Sequence, residues 1–165
     1  MKVENAMTQP VHSVLPGTNL GEVIRVMWEK DCGIVPVVDE ADQLIDVITD
    51  RDICIALGTH SCRPHQLVVG EMIRGNCYVA HPWEDLEVAL HLMGERQVRR
   101  LPVVDKLGKL IGMLTLSDII RVANPALATE PGGVSYEQLI ETMKQIAARP
   151  FDLAPPATER RSARG

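Results

Sequence analysis

The sequence predicts a mixed α/β protein made of two similar halves, followed by a separate C-terminal helix. Three observations predict it. Residues Pro16–Ile53 align without a gap on Pro82–Ile119 at a constant offset of 66 residues. Within each copy the apolar period changes from helical to extended and back. Beyond Asn124-Pro125 the repeat stops, and one more amphipathic pattern follows.

Identities fix the register of the repeat. Pro16, Leu20, Met27, Pro36-Val37-Val38-Asp39, Leu44-Ile45, Thr49, Asp52 and Ile53 recur as Pro82, Leu86, Met93, Pro102-Val103-Val104-Asp105, Leu110-Ile111, Thr115, Asp118 and Ile119. The first helix of each copy follows from Leu20, Val23, Ile24 and Met27, or Leu86, Ala89, Leu90 and Met93, at i, i+3, i+4, i+7. Apolar runs at Ile34–Val38 and Leu101–Val104 then meet polar turns at Asp39–Gln43 and Asp105–Gly108. Second runs at Leu44–Ile48 and Lys109–Leu114 complete two strands joined by a tight connection. A second helix begins near Asp50 and near Leu116.

One repeat of roughly 50–60 residues buries too little surface to be comfortably stable alone. The two copies are therefore expected to cover each other's apolar faces as one folding unit. The expected boundaries are 1–60 for the first repeat, 61–70 for a linker, 71–124 for the second repeat and 125–165 for an extension. In the extension, Glu130-Pro131-Gly132-Gly133 breaks the chain and Ser135 with Gln138 forms an S-x-x-Q cap. Leu139, Ile140, Met143, Ile146 and Ala147 predict a helix with one apolar stripe, ended by Arg149-Pro150. The segment Ala154–Gly165, with Arg160, Arg161 and Arg164, is expected to be mobile.

Composition narrows the function. The chain has 165 residues, 45% hydrophobic and 24% charged, which fits one folded unit rather than a disordered chain. Its 17 Lys+Arg against 22 Asp+Glu give a net charge of -5, and 3% of residues are aromatic, so nucleic-acid binding is not expected. No apolar run approaches the ~20 residues of a membrane-spanning helix, and the polar start at Met1–Asn5 points to a cytoplasmic protein. Cys32, Cys54, Cys62 and Cys77 form no C-x-x-C pair, so reduced thiols are expected. Phosphate-loop, nucleophile-elbow, zinc-protease and dinucleotide motifs are all missing, and no nucleophile is paired with a base, so no enzyme is expected.

One recurring motif can carry chemistry. Thr49-Asp50-Arg51-Asp52 and Thr115-Leu116-Ser117-Asp118 place T-x-x-D where the second strand meets the second helix. Its spacing first suggests a capping box, which needs no ligand; the functional reading is a hydroxyl and carboxylate facing a cleft, where the carboxylate accepts from vicinal ribose hydroxyls. A carboxylate repels phosphate, so a nucleotide would need positive charge nearby. Arg99-Arg100 supplies it in one copy only; the first copy has Gly33-Ile34. His60, Cys62 and His65 in the linker follow no closed zinc-site spacing, and no metal is expected. Met7, Met27, Met72, Met93 and Met113 read as core filler, and His12, His81 and His91 receive no role.

With those residues in place, the chain resembles the tandem cystathionine β-synthase (CBS) domain pair, the Bateman module. The segments RRLPVVDKLGKLIGMLTLSDII and GIVPVVDEADQLIDVITDRDI carry the resemblance, which covers roughly residues 3–124. It implies two β-α-β-β-α units about a pseudo-two-fold axis, with strands pairing between copies and clefts for an adenosine compound such as AMP, ADP, ATP or S-adenosylmethionine. By position, Thr49 with Asp52 and Thr115 with Asp118 look like ribose contacts. Val35-Pro36 and Leu101-Pro102 look like adenine-pocket walls, and Arg99 and Arg100 match basic positions that meet phosphate. It also implies a homodimer through the repeat helices and an unidentified regulated protein as partner.

Two departures matter. Gly112 keeps the family's glycine where the first copy has Asp46, a carboxylate expected to crowd or repel a ligand. The leading strand has Ser13 in the first copy and Val79 in the second. The site of Thr115 and Asp118 is accordingly expected to be the better one. The alternative reading is an interaction or dimerisation module that works without nucleotide.

Overall fold

The computed structural model describes residues 1–75, 77–123 and 132–148. The expected breakers at Asn124-Pro125, Glu130-Pro131 and Arg149-Pro150, and the expected mobile tail, lie outside them. The first half runs α1 (Leu20–Glu29), β1 (Ile34–Val38), β2 (Leu44–Thr49) and α2 (Asp50–His60). The second half repeats this order as α3 (Leu86–Arg96), β3 (Arg100–Val104), β4 (Leu110–Thr115) and α4 (Leu116–Val122), and α5 (Tyr136–Ala147) follows.

Local chemistry accounts for the boundaries. Asn19 accepts from the Glu22 N–H to start α1, which buries Leu20, Val23 and Met27. Thr49, Thr115 and Ser135 each form a reciprocal capping box at the head of α2, α4 and α5. Each hairpin turns on an aspartate. Asp39 Oδ1 accepts from the N–H of Ala41 and Gln43 at 2.9 and 2.8 Å, and Asp105 Oδ1 from Leu107 and Lys109 at 2.8 and 2.9 Å. That is the physical content of the repeated P-V-V-D. At the tip the chain takes a left-handed residue in both copies, Asp42 (φ 62°) and Gly108 (φ 81°).

β1 pairs antiparallel with β2, and β3 with β4, in equivalent registers that set Ile34 against Thr49 and Arg100 against Thr115. The expected leading strand shrinks to one parallel bridge in each copy, Val14 on Val37 and Ala80 on Val103. The hairpins meet at Gln43 and Lys109, where Leu44 N donates to Gly108 O at 3.0 Å and Leu110 N to Asp42 O at 3.1 Å.

The cores do not follow the sequence halves. Val3, fully buried, packs with Leu86, Leu90, Met93, Leu101 and Ile119 of the second repeat, and Met1, Ala6 and Met7 border that cluster. Leu67 and Val69 pack with Leu20, Val23, Val35, Ile48 and Ile53 of the first, bordered by Met72 and Ile73. The segment leading into each repeat thus completes the core of the other. Backbone bonds reinforce the exchange, with Val3 N donating to Glu84 O at 2.9 Å and Leu20 N to Leu67 O at 3.0 Å.

The single stripe expected on α5 divides in two. Leu139, Thr142 and Ile146 are buried towards α3, whereas Ile140 and Met143 are exposed. At ~100° per residue, Ile140 lies about 100° and Met143 about 40° around the helix from Leu139, whereas Thr142 and Ile146 lie about 60° and 20° to its other side, so α3 covers one flank and leaves the other.

The exchange makes a direct prediction. Val3→Ala removes two methyl groups from the second repeat's core, at about 0.8 kcal/mol each plus a cavity contribution. Urea denaturation should show a loss of about 2–3 kcal/mol; a loss below about 0.5 kcal/mol would mean that the N-terminal segment is not part of that core.

Candidate functional site

A cleft of about 360 Å³ opens between the repeats, at the low end of the ~300–1,000 Å³ range of small-molecule sites. The first half contributes Ile34, Asp46, Val47 and Thr49. The second contributes Gln97, Val98, Arg99, Arg100 and Pro102, with Cys77 and Tyr78 from its leading segment. β1 and β2 end together at the Ile34–Thr49 pair, so the hydroxyl sits where strand meets helix. Arg99 and Arg100 arrive at the start of β3, where alternation sends Leu101 into the core and returns Pro102 to the cleft.

The two T-x-x-D motifs are both caps, yet they differ in what they leave available. Asp52 Oδ2 accepts from the Thr49 N–H and hydroxyl at 3.0 and 2.6 Å. Asp52 is exposed, and its Oδ1 has no hydrogen-bond partner among the described residues. Asp118 Oδ2 repeats the cap at 2.9 and 2.7 Å, but Oδ1 accepts from Arg121 at 3.0 Å and the residue is 3% exposed. The counterpart of Arg121 in the first copy is Ile55, which cannot make that bond.

Asp46, which lines the cleft, has its carboxylate held by three backbone donors. Its Oδ2 accepts from the N–H of Arg74 and Gly75, both at 2.8 Å, and its Oδ1 from Val47 N–H at 2.8 Å. It is 7% exposed. The carboxylate therefore clips down the segment that delivers Cys77 and Tyr78 to the cleft wall. At the equivalent Gly112 the second half does the job with backbone: Thr8 and Met113 exchange N–H···O bonds of 2.8 and 3.1 Å, and Met7 occupies the space a Cβ at 112 would need. Burial, and then the Asp46 charge, push the Cys77 thiol above its ordinary value, so it sits in the wall as a neutral group. Beside it, Arg96 stacks 5.0 Å over the Tyr78 ring.

The model of the CBS domain matches residues 3–59 and 69–124. The chain belongs to the CBS-domain family. Relatives include the uncharacterized protein MK0525 of Methanopyrus kandleri, 36% identical over 110 residues, which are 66% of this chain and 55% of that one. The CBS domain-containing protein YhcV of Bacillus subtilis is 30% identical over 83% of this chain and 97% of its own length. Homoserine O-acetyltransferase of Methanohalobium evestigatum also matches, at 30% identity, but the match spans 24% of that enzyme. Among solved structures, CBSX2 in complex with AMP superposes with a TM-score of 0.65 at 33% identity, covering 79% of this chain and 98% of that one. The cytosolic domain of the Mg2+ channel MgtE in complex with ATP gives 0.63 at 27% identity, covering 73% and 48%.

In this CBS pair the expected site residues are redistributed. Arg100 remains the cross-strand partner of Thr115, yet Arg99 and Arg100 line a cleft with Thr49 of the other repeat, and Asp52, Thr115 and Asp118 are not among its lining residues. Val35 and Leu101 are 1% and 0% exposed and belong to the two cores, so of the expected apolar walls only Pro102 lines the cleft, with Ile34 and Val98 beside it. The buried Pro36 and the exposed Ser13 are not among its lining residues. Among the described residues no three His, Cys, Asp or Glu side chains gather as a metal site, and no helix is long and apolar enough to cross a membrane. The residues that sequence reasoning missed, Cys77, Tyr78 and Gln97, carry no repeated motif; Ile34 is the in-register partner of Thr49 and was legible by strand pairing.

Asp46→Ala should leave the N–H groups of Arg74 and Gly75 without their acceptor, at about 1–3 kcal/mol each. Chemical denaturation is expected to lose roughly 2–4 kcal/mol; a variant as stable as the parent would show that the clip does not hold the wall.

Proposed function

We propose that this CBS pair is a regulatory module, without catalysis of its own, that binds a phosphorylated adenosine compound in the Thr49–Arg100 cleft and passes its occupancy to a partner protein. The observation that carries the reading is the order of groups in that cleft: apolar wall, strand-end hydroxyl and two guanidinium groups. Ile34, Val98 and Pro102 offer apolar surface to a base. Thr49 offers a hydroxyl to the ribose, with Asp52 bonded behind it and outside the cleft's lining, and Arg99 and Arg100 offer forked donors to phosphate. The AMP and ATP held by CBSX2 and by MgtE support the same ligand class. A sulfonium centre beside two guanidinium groups is disfavoured, which ranks AMP, ADP and ATP above S-adenosylmethionine.

One ligand per chain follows from the difference between the copies. Asp118 has both oxygens engaged and is buried, whereas Asp52 keeps Oδ1 unpaired, and the matched cavity beside Asp31, Cys32 and Gly33 has no guanidinium among its lining residues, so the pseudo-equivalent position suits a phosphorylated ligand less. A ligand in the open cleft touches both halves, and it favours whichever relative placement of the halves suits it best. That differential affinity is what a sensor requires. The competing reading, a nucleotide-independent interaction module, draws on the fact that both T-x-x-D motifs serve as helix caps.

Thermal unfolding with millimolar AMP, ADP and ATP separates the two. A ligand at 100 times its Kd should add about 2.7 kcal/mol of stability, and Arg100→Ala should weaken ADP about 10–100-fold, the worth of a charge-assisted bond, while scarcely changing adenosine. Bound ADP should also slow alkylation of Cys77 relative to exposed Cys54. The absence of any shift with every compound would overturn the nucleotide reading in favour of the interaction module.

A further inference from the structure

The helix that follows the CBS pair is tied to the cleft by one side chain. Leu139 and Ile146 of α5 pack with Leu86, Leu90 and Met93 of α3 in the second core. A Cβ at Gly94 would collide with Gln145 of α5, so the two helices cross with their backbones close together there. The carbonyls of a helix's last turn lack partners of the kind the earlier turns have. At the end of α5 the Lys144 carbonyl accepts from the Ala148 N–H at 2.8 Å, and the Gln145 carbonyl accepts from Gln97 Nε2 at 3.1 Å.

Gln97 also belongs to the cleft, whose wall it forms with Val98, Arg99 and Arg100. It caps the end of α3 in the left-handed conformation, φ 53°. Residues 97–99 are the whole connection from α3 to β3. Both ends of that connection are held, since Val98 N donates to Met93 O at 3.0 Å and Leu116 N to Arg99 O at 2.9 Å. The first half lacks the link. At the repeat offset of 66 residues Gln97 corresponds to Asp31, whose side chain has no N–H to donate, and Gly94 to Trp28, whose bulk prevents so close a crossing. The cleft that holds Arg99 and Arg100 is thus the one fastened to the added helix.

We infer that α5 is the element that reports occupancy of this cleft, with Gln97 as the positioning residue that couples the two. The inference rests on the nucleotide reading of the cleft. A ligand whose phosphate engages Arg99 and Arg100 holds the three-residue connection in one arrangement, and with it the amide that fastens the end of α5. Binding therefore tightens the last turn of α5. Coupling between sites is reciprocal, so a loosened α5 weakens binding by the same factor.

Amide hydrogen exchange of the full chain with and without ADP, beside calorimetry of ADP binding, tests this. Saturating ADP should slow exchange at Ile146, Ala147 and Ala148 about 5-fold, the worth of one hydrogen bond, and leave Thr59 and His60 at the exposed end of α2 as they were. Gln97→Met keeps the bulk and removes the donor. Exchange at the end of α5 should quicken in that variant, and saturating ADP, whatever its affinity there, should no longer slow it. Ile146→Ala loosens α5 at a residue outside the cleft's lining, and it should weaken ADP about 5-fold. A structural role alone would quicken exchange in Gln97→Met yet keep the response to ADP. That outcome, bound ADP that leaves α5 exchange unchanged in the wild type, or unaltered ADP affinity in Ile146→Ala would each overturn the coupling while the nucleotide reading stands. A wild type that binds no ADP would overturn both.

Discussion

Neither hydrophobic core closes with its own repeat: Val3 completes the second and Leu67 with Val69 the first, so the two halves are laced together before any ligand is considered. Everything else in the molecule is arranged around this exchange. It makes the pair one cooperative unit, since neither half can open without exposing the other's buried valines and leucines. It also carries the leading segments across the hairpins, where Asp46 clips one and the Thr8–Met113 bridge holds the other. The cleft is the space left between hairpins that are tied at Gln43 and Lys109 and at their leading segments.

Pseudo-symmetry then makes the differences informative. Both halves share a hairpin turned by an aspartate and a helix capped by T-x-x-D. Against that common frame, substitutions at matched positions change the chemistry of each side. Gly33 to Arg99 and Ile34 to Arg100 add positive charge to one cleft, Ile55 to Arg121 ties up one carboxylate, and Trp28 to Gly94 makes room for α5. A duplicated fold has in this way been given one cationic cleft and one covered helix face.

The fold was legible because its signals are local or repeated. Identities at a fixed offset, helical spacing at Leu20–Met27 and the S-x-x-Q before α5 each act within a few residues, and each appears where the spacing placed it. The site was legible in composition but not in pairing. The repeat puts Arg99 and Arg100 in the same half as Thr115, and only the packing of the two halves brings them beside Thr49. The clip that Asp46 makes was not legible, because its partners, two backbone N–H groups 28 and 29 residues away, leave no trace in side-chain pattern. Strand alternation could have removed Val35 and Leu101 from the expected walls, since their neighbours Ile34, Arg100 and Pro102 must face the opposite way.

The central claim is that only one of the two matched clefts, the one that holds Arg99 and Arg100, takes a nucleotide. Equilibrium dialysis of labelled ADP at saturating concentration measures this as a stoichiometry. The account predicts one ADP bound per chain; two per chain, or binding that persists when both Arg99 and Arg100 are replaced by alanine, would contradict it.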